Sequence, residues 1–261
     1  MRRGIIISMV SRRNNLRRLR IMIKFGITEA GDAGLDFSWK NKLLEGNIII
    51  TKHMTVRNKT LNELLLKNKD RIILHATCTG YGGTRMEPNV PKPYEIYQGV
   101  RELINAGFPA SHIVLRIDPI IPTLKGIDKM TQPLILFEDT GVKRVRYSII
   151  DMYRHVKQRF MKEYGNLPFD SFKAPNYMIE NLLEAIEPYR EYYEFEACAE
   201  ELPDLLGCIS KKDYEILGID SSLASLGGFQ RSTCACCAGK TELLRNKKRC
   251  PSGCLYCYWK D

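Results

Sequence analysis

Short apolar, β-rich segments recur along this chain with helix-like stretches between them, and that alternation limits its fold more than any other feature. The candidate strands are Asn47–Thr51, Arg71–Thr77, His112–Ile117, Lys143–Ile149 and Tyr192–Cys198, with a further one near Ile23–Ile27. Helix-like stretches fall at Ser38–Leu44, Leu61–Lys67, Pro93–Ala106, Asp128–Asp139 and Asn176–Tyr189. In Pro93–Ala106 the apolar residues Ile96, Val100, Leu103 and Ile104 share one helical face, Pro93 suits the first turn and Gly107 the stop. Strand–helix alternation predicts an α/β fold, a parallel sheet with helices outside. Six strands suffice for a partial (β/α) barrel, and an open doubly wound sheet shares the same periodicity. No internal repeat is visible.

In parallel β/α folds the chemistry gathers in the loops that follow the C-terminal ends of the strands. Here Asn47–Thr51 runs into Lys52-His53, and Arg71–Thr77 into Cys78-Thr79-Gly80-Tyr81-Gly82-Gly83 and then Glu87-Pro88. His112–Ile117 runs into Asp118-Pro119, and the last strand into Cys198-Ala199-Glu200-Glu201. Singly, each has an ordinary reading: Gly82-Gly83 as a turn, Asp118-Pro119 as a strand stop. Together they predict one functional rim. His53 and His75 fall near it as candidate proton carriers, but no histidine has metal-ligand or triad spacing. Phosphate-loop and Rossmann patterns are absent.

The formal net charge is +10, but its distribution matters more. Residues 1–24 carry eight basic side chains and no acid, leaving 32 basic residues against 30 acidic ones elsewhere. Such an arm suits phosphate-backbone binding, a solvated tail, or an extension upstream of Met22 that is not native. No apolar run approaches the roughly 20 residues of a membrane helix, and Arg12 and Arg13 interrupt the apolar N-terminus before it makes a secretory signal. The expectation is a cytoplasmic protein in three parts: a basic extension over 1–24, the β/α body over 25–229 and a cysteine-rich segment over 230–261.

Cysteine usage carries the chemistry. Six of the nine cysteines lie beyond residue 233, and the odd total argues against a secreted disulfide scaffold. Cys250, Cys254 and Cys257 form a C-x3-C-x2-C run with Tyr256 before the last thiol. Three close thiolates can hold three irons of a [4Fe–4S] cluster and leave the fourth open. Structural zinc usually takes four protein ligands, and Cys234, Cys236 or Cys237 offers a fourth for a zinc ribbon. Cys198, Cys208, Cys234, Cys236 and Cys237 also supply enough thiols for a second iron–sulfur cluster or a zinc site. The alternative is that most are buried free thiols. Lys240, Lys247, Lys248 and Arg249 lead into the motif, as a solvated loop or a docking face for an acidic electron donor.

The Cys250–Cys257 run resembles the signature of the radical S-adenosylmethionine superfamily, displaced from its usual place near the N-terminus to the C-terminal end. From about residue 25 onward the chain is similar to an uncharacterised group with the motif at that end, through Thr77-Cys-Thr79-Gly80-Tyr81-Gly82, Glu87-Pro88-Asn-Val-Pro91, Asp118-Pro119-Ile120 and Gln230-Arg231-x2-Cys234-x-Cys236. A weaker likeness, to spore photoproduct lyase, rests on Thr51-Lys52, Thr77, Glu87-Pro88, Ala106-Gly107-Phe108 and Pro119-Ile120 in the same order. That lyase has a hydrogen-donating cysteine downstream of its cluster, whereas only Tyr258-Trp259-Lys260-Asp261 follows Cys257 here, so lesion repair is not supported.

The resemblance implies an enzyme in which Cys250, Cys254 and Cys257 hold a [4Fe–4S] cluster that cleaves S-adenosylmethionine to a 5′-deoxyadenosyl radical for hydrogen abstraction. It places Lys52, Thr77, Thr79, Gly82, Gly83, Asp118 and Tyr256 around that cofactor: Lys52 at its carboxylate, Thr77 nearby, Asp118 at its amine or ribose, and Tyr256 near adenine. It also implies a low-potential electron donor such as flavodoxin or ferredoxin. The rival is a non-catalytic module stabilised by zinc or an iron–sulfur cluster, binding nucleic acid through the basic arm. The displaced motif makes a demand on the fold, since the last segment must then lie over the C-terminal ends of the strands.

Overall fold

Residues alternating between two faces of extended segments need cover on both sides, and the fold supplies two unlike covers. A computed structural model describes residues 22–198, 202–225, 227, 236–244 and 250–259. The strands are β1 (Phe25–Ile27), β2 (Asn47–Thr51), β3 (Ile72–Thr77), β4 (Ile113–Ile120), β5 (Arg144–Ile149), β6 (Glu194–Ala197) and β7 (Lys240–Glu242). They form one seven-stranded sheet in the order β6-β5-β4-β3-β2-β1-β7, with every pairing parallel. Each of the first six strands adds beside the one before it, so the reversal point of a doubly wound sheet is absent. The sheet is not closed: β6 and β7 are its two edges.

The helices are α1 (Lys59–Lys67), α2 (Pro93–Asn105), α3 (Leu124–Phe137), α4 (Arg154–Tyr164), α5 (Asn176–Ile186) and α6 (Lys211–Ile216). Ile72, Leu74 and Ala76 of β3 and Ile113, Leu115 and Ile117 of β4 join the core that also holds Leu61 of α1, Val100 of α2, Leu134 of α3 and Leu182 of α5. Their neighbours in sequence face the other way. There Phe25, Ile27, Ile48, Ile50, Ile73 and Val114 pack with Ile209 and Tyr214 into a smaller second core.

Several expectations needed adjustment. Ser38–Leu44 contributes only a 3-10 turn over Ser38–Asn41, and α3 begins before Asp128, with the Thr123 side chain accepting from Gly126 N. Asp118-Pro119 does not stop β4, which continues to Ile120 with a register irregularity after Ile117. Three elements were not foreseen: α4 and α6, whose polar faces mask their period, and β7, too short to show one. β7 also brings part of the 230–261 segment into the sheet, beside β1. Residues 1–21, Cys234 and Lys247–Arg249 lie outside the described residues. No described helix is long and apolar enough to cross a membrane.

The inward face turns polar from β3 to β6. Arg144 donates to both carboxylate oxygens of Glu196 (2.9 and 3.2 Å) and to Asp213 (2.8 Å), while Arg146 donates to Glu196 and to the Cys208 carbonyl. The guanidiniums of Arg146 and Arg116 face the two ring nitrogens of His75 at 3.1 and 3.4 Å. Burial, then those two cations, holds the His75 pKa well below the usual histidine value. The folded-state pKa thus lies below the unfolded one, so the neutral ring contributes its full stability above about pH 6.5. As pH falls, the unfolded chain takes up the proton first, and stability drops by up to about 1.4 kcal/mol per pH unit until the folded pKa is reached. The expected result is a melting midpoint that declines from pH 7 to pH 5 more steeply in wild type than in His75→Asn. Parallel profiles would remove His75 from the account.

Candidate functional site

A cavity of about 640 Å³ opens over the C-terminal ends of the strands. On its wall lie Lys52 from the end of β2, Thr77 from the end of β3, Asp118 from β4 and Ser148 from β5, together with Cys250, Cys254, Tyr256 and Cys257. Residues some 200 positions apart in sequence thus meet in one space. The 250–259 segment is seated on the rim loops: Leu255 N donates to Met86 O (3.0 Å), and the Asn89 side chain donates to Pro251 O (2.8 Å). His53 Nε2 meets Ser252 Oγ at 2.9 Å, and Arg159 of α4 donates to the carbonyls of Cys257 (2.6 Å) and Trp259 (2.7 Å). Gly253 takes a φ of +66°, which glycine adopts without the strain a side chain brings, and so lets the loop turn against Pro88.

Glu87 organises this rim. One carboxylate oxygen pairs with Lys52 Nζ (2.8 Å) and accepts from the Tyr256 hydroxyl; the other accepts from Thr79 Oγ1 (2.8 Å). Lys52 Nζ also donates to Tyr256 OH (2.8 Å) and approaches Asp118 O (3.4 Å), which occupies the three donors of an ammonium group. Burial alone would push the Lys52 pKa down, but Glu87 and then Cys254 outweigh it and hold the group above the usual lysine range. Burial pushes the Cys254 thiol up to about 12 despite the opposing pull of Lys52, and raises Cys257 as well. Asp118 accepts from Arg116 and Ser148, so its carboxylate is fixed and partly neutralised.

Two observations bear on whether a cofactor fits. Thr77 Oγ1 is buried on the cavity wall with no hydrogen-bond partner, and such an orphan costs free energy unless a ligand satisfies it. Among the described residues no three of His, Cys, Asp and Glu are drawn up to one ion-sized point. A cubane puts each thiolate on a different iron, so it asks instead for three thiols on one face, as on this wall. The residues present fit the group.

The other expected residues are placed differently. Thr79 is buried against Glu87, and Gly82 and Gly83 are off the cavity wall. The close approaches in that loop are to the protein's own backbone: a Cβ on Gly82 would lie 1.9 Å from Pro91 O, and one on Gly80 1.9 Å from Lys129 O. Pro133 has no N–H to offer that Lys129 carbonyl, and Gly80 packs against it in the helical partner's stead. Cys198 and Cys208 share the cavity with the terminal cysteines, and Cys236 is buried beside Cys208. The Lys240 ammonium is paired with Glu29 at 2.8 Å, and its side chain is mostly buried. His75 is buried off the cavity wall. Glu87, Arg116 and Ser148 were not assigned roles from sequence. A buried glutamate before proline gave little signal, but the alternation Arg144-Val-Arg146-Tyr-Ser148 does mark a polar sheet face.

Fold and site together define a class: an all-parallel α/β protein carrying a thiol-lined cavity on the C-terminal rim of its sheet. The chain belongs to the family described as Domain of unknown function (DUF1848), which matches residues 35–259. The match includes the Cys250–Cys257 loop, so that motif is part of the family's extent and not an appendage to it. Comparison with curated proteins finds no match.

Proposed function

We propose that this protein is a radical S-adenosylmethionine enzyme built on a partial (β/α) barrel, with Cys250, Cys254 and Cys257 holding a [4Fe–4S] cluster. The observation that carries the reading is the convergence of those three thiols with Lys52, Thr77 and Asp118 on one cavity. The sequential order of the first six parallel strands, in a sheet that is not closed, supports this reading. When bound, the cluster supplies one-electron cleavage of S-adenosylmethionine to a 5′-deoxyadenosyl radical, with the electron delivered by a low-potential partner such as flavodoxin or ferredoxin.

The chain's own residues position and orient. Glu87, Lys52 and Tyr256 lock the cysteine loop onto the rim, and Arg159 holds its far side by two carbonyls. The Thr77 hydroxyl offers the cofactor an unclaimed donor. Asp118, braced by Ser148 and Arg116, presents a fixed carboxylate suited to an amine or a ribose hydroxyl. Anaerobically purified protein is expected to be brown, to carry about four irons in the cluster, and to form 5′-deoxyadenosine from S-adenosylmethionine under reducing conditions. Cys254→Ala should lose both iron and product. Equal product from the variant and wild type would defeat the reading.

A further inference from the structure

Two thiols that the proposed chemistry leaves unused are brought together on the cavity wall. Cys198 directly follows edge strand β6, and its N–H donates to Tyr147 O of β5 at 2.8 Å. The chain then returns to the strand it has left. Leu206 and Gly207 both donate to Ala197 O, at 3.1 and 3.2 Å, and Gly207 makes the turn with a φ of +80°. This clamp sets Cys208 against Cys198 with the sulfurs 2.9 Å apart, so that about 0.9 Å of closure would reach a disulfide bond of about 2.05 Å. Both residues line the cavity, Cys198 half-buried and Cys208 1% exposed. Cys236, whose Sγ accepts from Cys208 N at 3.1 Å, is fully buried and off the cavity wall.

We propose that Cys198 and Cys208 are a redox-active dithiol that exchanges with small disulfides entering the cavity. The pair uses none of the Cys250–Cys257 thiols and stands independently of the radical reading. The sulfur–sulfur contact is a hydrogen bond in which either thiol can be the donor, so one proton can pass between them. Hydrogen bonds from Cys198 and Cys236 hold the Cys208 thiol well below the usual cysteine range against the effect of burial, with Lys240 and Arg116 adding to the pull, and Cys198 is pushed up. Glu29 Oε1, 3.8 Å from Cys208 Sγ, accepts from that thiol when the proton moves across. Cys198, the more exposed sulfur, gives its proton to Cys208 and attacks one sulfur of the incoming disulfide, releasing the other as a thiolate. Cys208 then attacks the Cys198 sulfur of the mixed disulfide. The Cys198–Cys208 bond forms, and the second small thiol leaves with the proton. Two electrons thus pass from the protein to the small disulfide, and excess small dithiol reverses the sequence. Resolution is intramolecular between sulfurs already in contact, which favours the bridge over a lasting mixed disulfide.

The test treats the full chain, purified anaerobically, with hydroxyethyl disulfide, alkylates the remaining thiols and maps every cysteine by mass spectrometry. Cys198 and Cys208 should be recovered joined to each other in most molecules, and excess dithiothreitol should return both to the alkylatable form. In Cys208→Ser the small thiol should stay on Cys198 for want of a resolving partner. In Cys198→Ser the reaction of Cys208 should be roughly tenfold slower or more, because its sulfur is the less accessible of the two. The wild-type bridge is read without any variant, so misfolding of a serine protein does not decide the matter. A bridge from Cys208 to Cys236, or a Cys198 left unreacted, would overturn the proposal. Undiminished reaction of Cys208 in Cys198→Ser would overturn the order of attack. Loss of iron in Cys254→Ala with the bridge still formed reports on the radical reading and leaves this one standing.

Discussion

Glu87→Ala should destabilise the protein by about 3–5 kcal/mol and strip the cysteine loop of its seat. The Glu87 side chain is 1% exposed and is the counter-ion of Lys52, whose side chain is only 17% exposed. Removing one member of such a pair leaves a charge without compensation in a poorly solvated place, the costly half of buried ion-pair energetics. Thr79 and Tyr256 lose an acceptor in the same step. The melting midpoint of the apoprotein should drop by roughly 10 °C, and iron content should fall because Tyr256 loses its tie to Glu87 and keeps only the bond from Lys52. Glu87→Gln keeps an acceptor and should fall between the two. A midpoint within about 2 °C of wild type for Glu87→Ala would mean that the rim does not depend on this carboxylate.

Glu196→Ala should be more damaging still. Glu196 serves both Arg144 and Arg146, whose side chains are 4% and 1% exposed, and Asp213 alone would remain to balance them. The expected loss is at or above the about 3–5 kcal/mol of a broken buried pair, enough to remove most of the stability of an ordinary domain. Soluble yield and the unfolding midpoint in urea measure it. Replacing the set together, as Arg144→Met, Arg146→Leu, Glu196→Met and Asp213→Asn, should recover much of what the single change loses, since the neutral set leaves no buried charge without a partner. If the quadruple variant were no better than Glu196→Ala, the network would be needed for something other than charge balance.

The parallel α/β class was legible because three of the six expected strands carry uninterrupted apolar runs, Ile48–Ile50, Ile72–Leu74 and Ile113–Leu115, and α2 shows its period plainly. β7 was not legible, since three residues beginning with Lys240 show no period and pair only because β1 offers a free edge. The polar inward face was half visible: Arg144, Arg146 and Ser148 alternate in sequence, but their partners Glu196 and Asp213 lie some 50 to 70 residues on. Thr79, Gly82 and Gly83 stood beside the right strand end. Whether such a loop faces a ligand or packs against Pro91 and Lys129 depends on neighbours that are remote in the chain.

Thiol spacing within Cys250–Cys257 and the alternation of strands and helices are local properties, set by covalent distance and by side-chain period, and a single chain states them directly. Which sulfurs share a cavity is a different kind of fact. It depended on the last ten described residues crossing the rim to meet Glu87 and Lys52, and on the two sheet edges stopping short of each other around Cys198, Cys208 and Cys236. Contacts between groups so far apart in sequence are specified by the packing of the whole sheet, because no local pattern records which distant partner will balance a buried charge or face a buried thiol.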